Sequence, residues 1–351
     1  VKHKVIILGP PPGSPGGIGM MMRHLKSSCE PDSRFLFVDS GTTDHRLRAF
    51  VNSALICIAA AFGEGKPLFH LNVASRGSTL RKAILAALIT SAGGKYVLHL
   101  HGAEYREFYR GSNFLVRTAI RALFRRATRV LVLGQTWRSF VIGTLGVPAH
   151  RVGILANAVP GPEELPNRSH SHIRMLFIGR SGARKGLSEL MAATASLTAN
   201  KPWSMILAGD AENDRTRDAL NASALVNYTG WIDQAGLAQE LGSASIFVLP
   251  SHAEGLPLAL LDAMAWGLAP IVTDVGSIAD VIEDGVNGLF VDVGDAQGLQ
   301  HAMEQLISDD QLRSRIGNNA RRTWQRRFDI SQYANRLEGE LQIALAEDGP
   351  N

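Results

Sequence analysis

The stretch Ser245-Ile-Phe-Val-Leu-Pro-Ser-His-Ala-Glu254-Gly-Leu-Pro-Leu-Ala-Leu-Leu-Asp262 decides how the chain is read. Its apolar opening, rich in β-branched and aromatic residues, has the character of a buried strand. A Pro-Ser-His-Ala-Glu loop follows. Pro257 then stands at the expected first helical position, where its missing N–H costs nothing. Glu254 therefore sits at the mouth of a strand–loop–helix unit, where free backbone amides and the positive end of the helix dipole collect. Asp262 follows two helical turns later on nearly the same side. Two acids placed in this way suit a ligand that is both hydroxyl-rich and anionic, such as a nucleotide-sugar.

Outward from this stretch, short apolar runs alternate with longer helical patterns. Strands are predicted near 4–8, 35–38, 68–71, 96–100, 130–133 and 152–155, with helices near 18–28, 46–62, 78–91, 112–126 and 135–144. Residues 156–172 hold three prolines and a polar run, which marks a linker. The pattern restarts with strands near 175–179, 204–209, 226–230, 246–250, 269–273 and 288–291. Helices are expected between them near 186–198, 211–224, 233–242, 257–266 and 277–283, and three more close the chain near 295–306, 309–325 and 330–346. Near-continuous apolar strands in strict alternation with helices mean parallel sheets covered on both faces. The fold class is α/β, with two doubly wound, Rossmann-like domains facing across a cleft. The expected domains are 1–165 and 166–329, with the C-terminal helix 330–351 packing back on the first.

The gross numbers narrow the classes. The chain has 351 residues and only two cysteines, in no metal-like spacing, which argues against a disulfide scaffold and suits a reducing cytosol. Apolar runs such as 54–62 and 83–92 fall short of the roughly 20 residues that span a bilayer. Charge is divided unequally. Residues 1–165 hold 21 Lys and Arg against 9 Asp and Glu, and the remainder 15 against 23, giving the overall +4. An anionic partner is expected for the first half only.

Several constellations could carry chemistry. The strand ending at Gly179 runs into Arg180-Ser-Gly-Ala-Arg184-Lys185-Gly186. Ligands of open α/β sheets bind beyond the carboxyl ends of strands, where Arg180 and Lys185 could neutralise a diphosphate. The alternative is a solvated basic turn. After the first strand, Gly13, Gly16, Gly17 and Gly19 form a glycine-rich loop that lets backbone approach a ligand, although its spacing is not the dinucleotide fingerprint. His99 and His101 share one strand face, with His101 at the exposed end as a hydrogen-bond donor to a sugar hydroxyl. No Cys or acidic cluster completes a zinc site around them. Arg117, Arg121, Arg125 and Arg129 recur at a four-residue step, with Arg126 beside them. Such a stripe suits anionic lipid, at about 1 kcal/mol per basic residue near the surface, or is a solvated helix face. No nucleic-acid-binding motif appears.

These residues resemble a family 4 retaining glycosyltransferase of the GT-B fold, over essentially the whole chain and most strongly over 174–292. The family's mark is an acid, seven residues, then Glu. Glu254 fills the first position, and Asp262 stands where the family has Glu. Gly209-Asp210, Tyr228-Thr-Gly230, Pro250-Ser251, Asp274-Val-Gly276 and Asp284-Gly-Val-Asn-Gly288 match further landmarks, as do Gly16-Gly17 and Asn157 at the hinge. The segments 70–77 and 99–104 resemble enzymes that build bacterial surface polysaccharides.

The resemblance implies roles. Glu254 would bind donor sugar hydroxyls, helped by the backbone of Gly255, Leu256, Pro257 and Leu258, and Asp262 would reach the ribose. Arg180, Lys185 and Gly179 would border the diphosphate, with Gly16-Gly17 approaching from the other domain and Tyr228 to Trp231 beside the base. His101 would touch the sugar, and Arg76, Glu104 and Asn157 would line the acceptor side. The implied activity is metal-independent hexosyl transfer, with retention, from a UDP- or GDP-sugar to a lipid-linked or glycan acceptor. No cofactor is expected. The setting would be the cytoplasm, peripheral to the inner membrane face. The alternatives are a sugar-nucleotide epimerase of the same fold and an inactive nucleotide-sugar-binding regulator.

Overall fold

The alternation of apolar runs and helical stretches builds two parallel six-stranded sheets. A computed structural model describes residues 3–29, 34–41, 46–63, 65–168 and 171–346. The chain divides into one unit of Val1–Ala158 with Ile330–Asn351 and a second of Val159–Asp329. The change of unit thus falls within the proline-rich stretch, a few residues before 165, and the chain crosses over again at 329–330.

The first unit runs β1 (Val5–Gly9), α1 (Gly17–Cys29), β2 (Phe35–Asp39), α2 (Arg46–Phe62), β3 (Leu68–Val73), α3 (Gly77–Ser91), β4 (Lys95–Leu100), α4 (Tyr105–Gly111), α5 (Phe114–Arg126), β5 (Arg129–Val132), α6 (Gln135–Gly143) and β6 (Val152–Ile154). Its sheet order is β2-β1-β3-β4-β5-β6. The order reverses between β1 and β3, so the crevice outside their carboxyl ends is the natural ligand position of this unit.

The second unit runs β7 (Ile173–Ile178), α7 (Leu187–Ala195), β8 (Trp203–Ala208), α8 (Asp214–Asn221), β9 (Asn227–Gly230), α9 (Gln234–Ser243), β10 (Ile246–Leu249), α10 (Leu258–Ala265), β11 (Ala269–Thr273), β12 (Leu289–Val291), α11 (Ala296–Ser308) and α12 (Asp310–Arg327). Its order, β12-β11-β10-β7-β8-β9, reverses between β7 and β10. The central strands β10 and β11 are buried along their whole length, as their unbroken apolar sequences require. Asn and Asp side chains start the helices: Asn113, Asn213, Asp233, Asp295 and Asp309 each accept from a backbone amide three residues on, meeting donors that a helix end leaves open.

The last helix, α13 (Tyr333–Ala346), packs on α1, β4 and β5 of the first unit. Buried Arg129 donates to Glu340 at 2.6 Å and to the His150 carbonyl, and Arg34 pairs with Glu338 at 2.8 Å.

Several expectations are corrected. Residues 277–281 form successive turns and bends, and 282–283 are irregular, rather than a helix over 277–283. The stretch around 112–126 is preceded by a separate short helix, α4. Pro257 caps α10 instead of opening it, with Leu258 the first helical residue. Arg129 is not on the arginine-bearing helix: α5 ends at Arg126, and Arg129 opens β5 in the interior. Glu340→Ala should lower the stability of the full chain by about 2–3 kcal/mol, the worth of a hydrogen bond to a charged group together with the orphaned partner. Urea unfolding with an unchanged midpoint would contradict that role for the C-terminal helix.

Candidate functional site

Because β7 and β10 are neighbours in the sheet, the loops that follow them leave its carboxyl edge side by side. From β7 the chain passes Gly179, Arg180, Ser181 and Gly182, makes a single tight turn over Ala183–Lys185, and enters α7 through Gly186 at φ 70°. A Cβ on Gly186 would run into the Pro250 carbonyl oxygen. Glycine is therefore what lets this turn lie directly on the loop after β10. The two loops are stitched together, His252 N donating to Arg184 O and Arg184 Nη1 to Ala253 O, each at 2.9 Å. From the other side, the loop after β8 fixes the same turn through Ser181 N to Asp210 O at 2.8 Å and Ala183 N to Glu212 Oε2 at 3.0 Å.

These contacts deliver a buried ion pair. Glu254, 6% exposed, accepts from Lys185 Nζ at 2.5 Å and from Ser251 Oγ at 2.8 Å, both on Oε1. Among the described residues its Oε2 faces the Arg184 guanidinium alone, at 3.7 Å, which leaves it capacity to accept from a hydroxyl. Gly276, at φ 64°, presses against the Glu254 carbonyl where no side chain would fit, and Ser277 N donates to Gly255 O at 2.8 Å. Arg180 is exposed and has no hydrogen-bond or ion-pair partner among the described residues. Lys185, Glu254 and the free Arg180 thus belong to one switch-point loop cluster. Arg184 and Ser251 complete it, and sequence reasoning gave neither a role. The Ser251–Glu254 spacing in the Pro-Ser-His-Ala-Glu loop was the signal for the second.

Behind them, α10 starts without a side-chain cap, so amides of its first turn stay open to a ligand. Asp262, one turn from the end of α10, is half-buried, and its side chain has no partner among the described residues. Burial pushes its carboxyl from the ordinary 3.8 up to about 7. Tyr228 Oη accepts from Ala211 N at 3.0 Å, fixing the end of β9, and Gly230 turns at φ 66° to present Trp231, 67% exposed. A cavity of about 440 Å³ in the same unit, bounded by Asp280, Glu283, Asn287, Thr323, Arg326 and Arg327, contains none of these groups.

In the first unit, Gly16 (φ 103°) and Gly17 have open space where a Cβ would stand, whereas Gly19 is pressed on Ser14. Arg76 is exposed and is the one described non-glycine residue at positive φ, 60°, immediately before α3. Glu104 is exposed at the start of α4, and Asn157 is buried near the end of the unit's first segment. His70, His99 and His101 form a row of imidazoles, with ring centroids 5.4 Å and 4.0 Å apart. Burial keeps them neutral, lowering His70 to about 4, His101 to about 3 and His99 well below its usual value. Asn72 turns its amide nitrogen to Met22 Sδ and its Oδ1 to His101 Nε2, at 2.8 Å. With that amide orientation Nε2 carries the imidazole's one proton. His101 then has an acceptor, Nδ1, to offer rather than the expected donor. In the arginine row, Arg117 bends back to the carbonyls of Tyr109 and Arg110, closing α4, while Arg121 and Arg125 stay exposed.

Two doubly wound parallel units, one with an acid–lysine pair at its switch point, give the chain the fold of GT-B glycosyltransferases. Residues 166–323 match the family of glycosyl transferases group 1. The chain is 26% identical over 270 residues, 70% of each chain, to the alpha-D-kanosaminyltransferase of Streptomyces kanamyceticus. It is 32% identical over 153 residues, 42% of this chain and 44% of the relative, to the lipopolysaccharide core biosynthesis glycosyltransferase LpsE of Rhizobium meliloti. In fold it is similar to Anabaena HepE, solved with UDP and glucose, at TM-score 0.77 and 19% identity over 97% of this chain and 100% of that one.

Two outcomes test the site. Lys185→Met leaves a buried carboxylate without its cation and should cost about 3–5 kcal/mol, whereas Lys185→Met combined with Glu254→Leu should cost less than the two single changes added. Strictly additive urea-unfolding losses would show that the pair is not coupled. For Asp262 the folded pKa lies above the unfolded one, so from about pH 4 to 7 the folded state holds a proton that the unfolded chain has lost, and stability falls as pH rises. Asp262→Asn should therefore raise the melting temperature at pH 8 and leave it nearly unchanged at pH 4. An equal effect at both values would place the carboxyl in a solvated setting.

Proposed function

We propose that the protein transfers a hexosyl group, with retention, from a UDP- or GDP-sugar to a lipid-linked or glycan acceptor in surface polysaccharide synthesis, working at the inner face of the cytoplasmic membrane. The observation that carries this reading is the pairing of Lys185 with Glu254 beside the unpartnered Arg180 at one switch point. The UDP and glucose bound by HepE and the lipopolysaccharide work of LpsE support the choice of donor and acceptor class. No described helix is long and apolar enough to cross a membrane, so the membrane reading is one of surface contact.

The donor's diphosphate lies against Arg180, the remaining protons of Lys185 and the open amides of α10. Glu254 Oε2 accepts a sugar hydroxyl, and Asp262 meets the ribose. Cleavage of the anomeric C–O bond leaves positive charge on the sugar ring and negative charge on the departing phosphate. The fixed cations and helix-end amides favour that separation, because they are already oriented toward the place where the negative charge grows. The acceptor oxygen bonds to the anomeric carbon from the face the phosphate leaves, and its proton passes to the leaving phosphate oxygen. His101 Nδ1 meets the transferred sugar, and Arg76, Glu104 and Asn157 belong to the acceptor side. This chemistry calls on no metal or other cofactor.

Incubation with UDP- and GDP-sugars and a bacterial lipid extract should give nucleotide release that depends on the extract. Arg180→Ala, which removes no hydrogen bond or ion pair among the described residues, should lower turnover by about 100-fold or more, the usual worth of one preorganised donor to a developing anion. Near-normal turnover in that variant, or isomerised sugar without acceptor, would overturn the assignment.

A further inference from the structure

The helix α2 is folded inside out. Its three buried residues are Ser53, Cys57 and Ala61, small or weakly polar and one turn apart. Its solvent side carries Leu47, Val51, Leu55 and Phe62, exposed by 76%, 49%, 61% and 73%. A helix that serves only its own core does the reverse. Its neighbour α3 turns Leu85, Ala86 and Ile89 to the core, yet it also buries Lys82, which donates to Ser40 Oγ, while Leu80 and Ile84 face outward. On the far side of α3, α5 opens with Phe114 and Leu115, exposed by 78% and 76%.

All three are crossover helices of the same rightward-running part of the sheet. Right-handed crossovers therefore put them on one face of it. Because the strands are parallel, a helix that directly follows a strand begins at the carboxyl edge, so Leu47 of α2 and Leu80 of α3 mark the edge from which the loops bearing Gly16, Arg76 and His101 open, whereas α5 follows the short α4. Between α3 and α5 the face has a groove of about 180 Å³, walled by Ala83, Ala87, Ala119 and Ala122 with Arg126 at its rim.

We infer that the outer face of α2, α3 and α5 is a docking surface for an anionic lipid bilayer, its leucine and phenylalanine side chains entering the interface while the arginines meet the headgroups. The charge is what selects the occupant. The three helices contain no Asp or Glu, and Arg46, Arg48, Arg121, Arg125 and Arg126 are all exposed. Contiguous exposed apolar area mixed with basic residues is the composition of interfacial helices. A second copy docked by the same face would set these arginines against their own counterparts, with no acid on the three helices to offset them. This inference rests on the membrane reading proposed above and gives it a surface, with the apolar rows rather than the arginine row alone providing the hold.

Flotation of the full chain with phosphatidylcholine vesicles, with and without phosphatidylglycerol, tests it. The unaltered protein should float with the anionic vesicles. The variant Leu47→Ser/Leu55→Ser/Leu80→Ser should lose partitioning by about tenfold or more, while its UDP-induced thermal shift stays unchanged, which shows that it is folded. Arg121→Ser/Arg125→Ser should weaken flotation and its dependence on phosphatidylglycerol. Undiminished flotation of the serine variant would overturn the inference. So would absence of flotation with a concentration-dependent dimer that the same variant abolishes. Flotation without any sugar transfer would sink the proposed function and leave the docking surface standing.

Discussion

The Lys185–Glu254 contact is the constraint around which the second unit is organised. A carboxylate with 6% exposure cannot stay charged without compensation. Compensation here requires Lys185, which sits on a loop that is 69 residues away in sequence. The strand order supplies that neighbour, because β10 returns to lie beside β7. Gly186 and Gly276 then let three loops approach closely enough for the ammonium, the Ser251 hydroxyl and the carboxylate to meet. Sheet topology and site chemistry are thus one arrangement, and neither glycine tolerates a side chain without opening the pair.

The same arrangement separates charges by task. Lys185 and Arg184 are tied to the Glu254 loop, whereas Arg180, five residues earlier, is left exposed. A site that holds one cation free and another in an ion pair can engage an anion with little rearrangement, since the pair is already oriented. Asp262 is the counterpart on the acid side: unpaired, half-buried and raised to about 7, it gains from any hydroxyl that donates to it.

Much of this was legible in the sequence for physical reasons. Buried parallel strands must be apolar throughout, so β3, β4, β10 and β11 announced themselves, and α2 matched its predicted span residue for residue. What escaped depended on contacts between distant segments. Arg129 continued a four-residue rhythm, but Glu340 from the C-terminal helix claims it for the interior. His101 looked like a donor until Asn72 fixed which nitrogen holds the proton. The turns at 277–281 follow Gly276, whose approach to the Glu254 carbonyl bends the chain away from a helical path. The periodicity of α2 identified a helix but not its orientation: a row of Leu, Val and Phe reads as core, and only the structure shows Ser53, Cys57 and Ala61 turned inward instead.

The central claim is that this loop cluster recognises a diphosphate. Calorimetric titration of the full chain with UDP and GDP against UMP and GMP tests it most directly. The account predicts that removing the terminal phosphate weakens binding by about tenfold or more, the worth of charge-assisted hydrogen bonds from Arg180 and Lys185. Equal affinity for monophosphate and diphosphate would mean that these cations serve the fold alone.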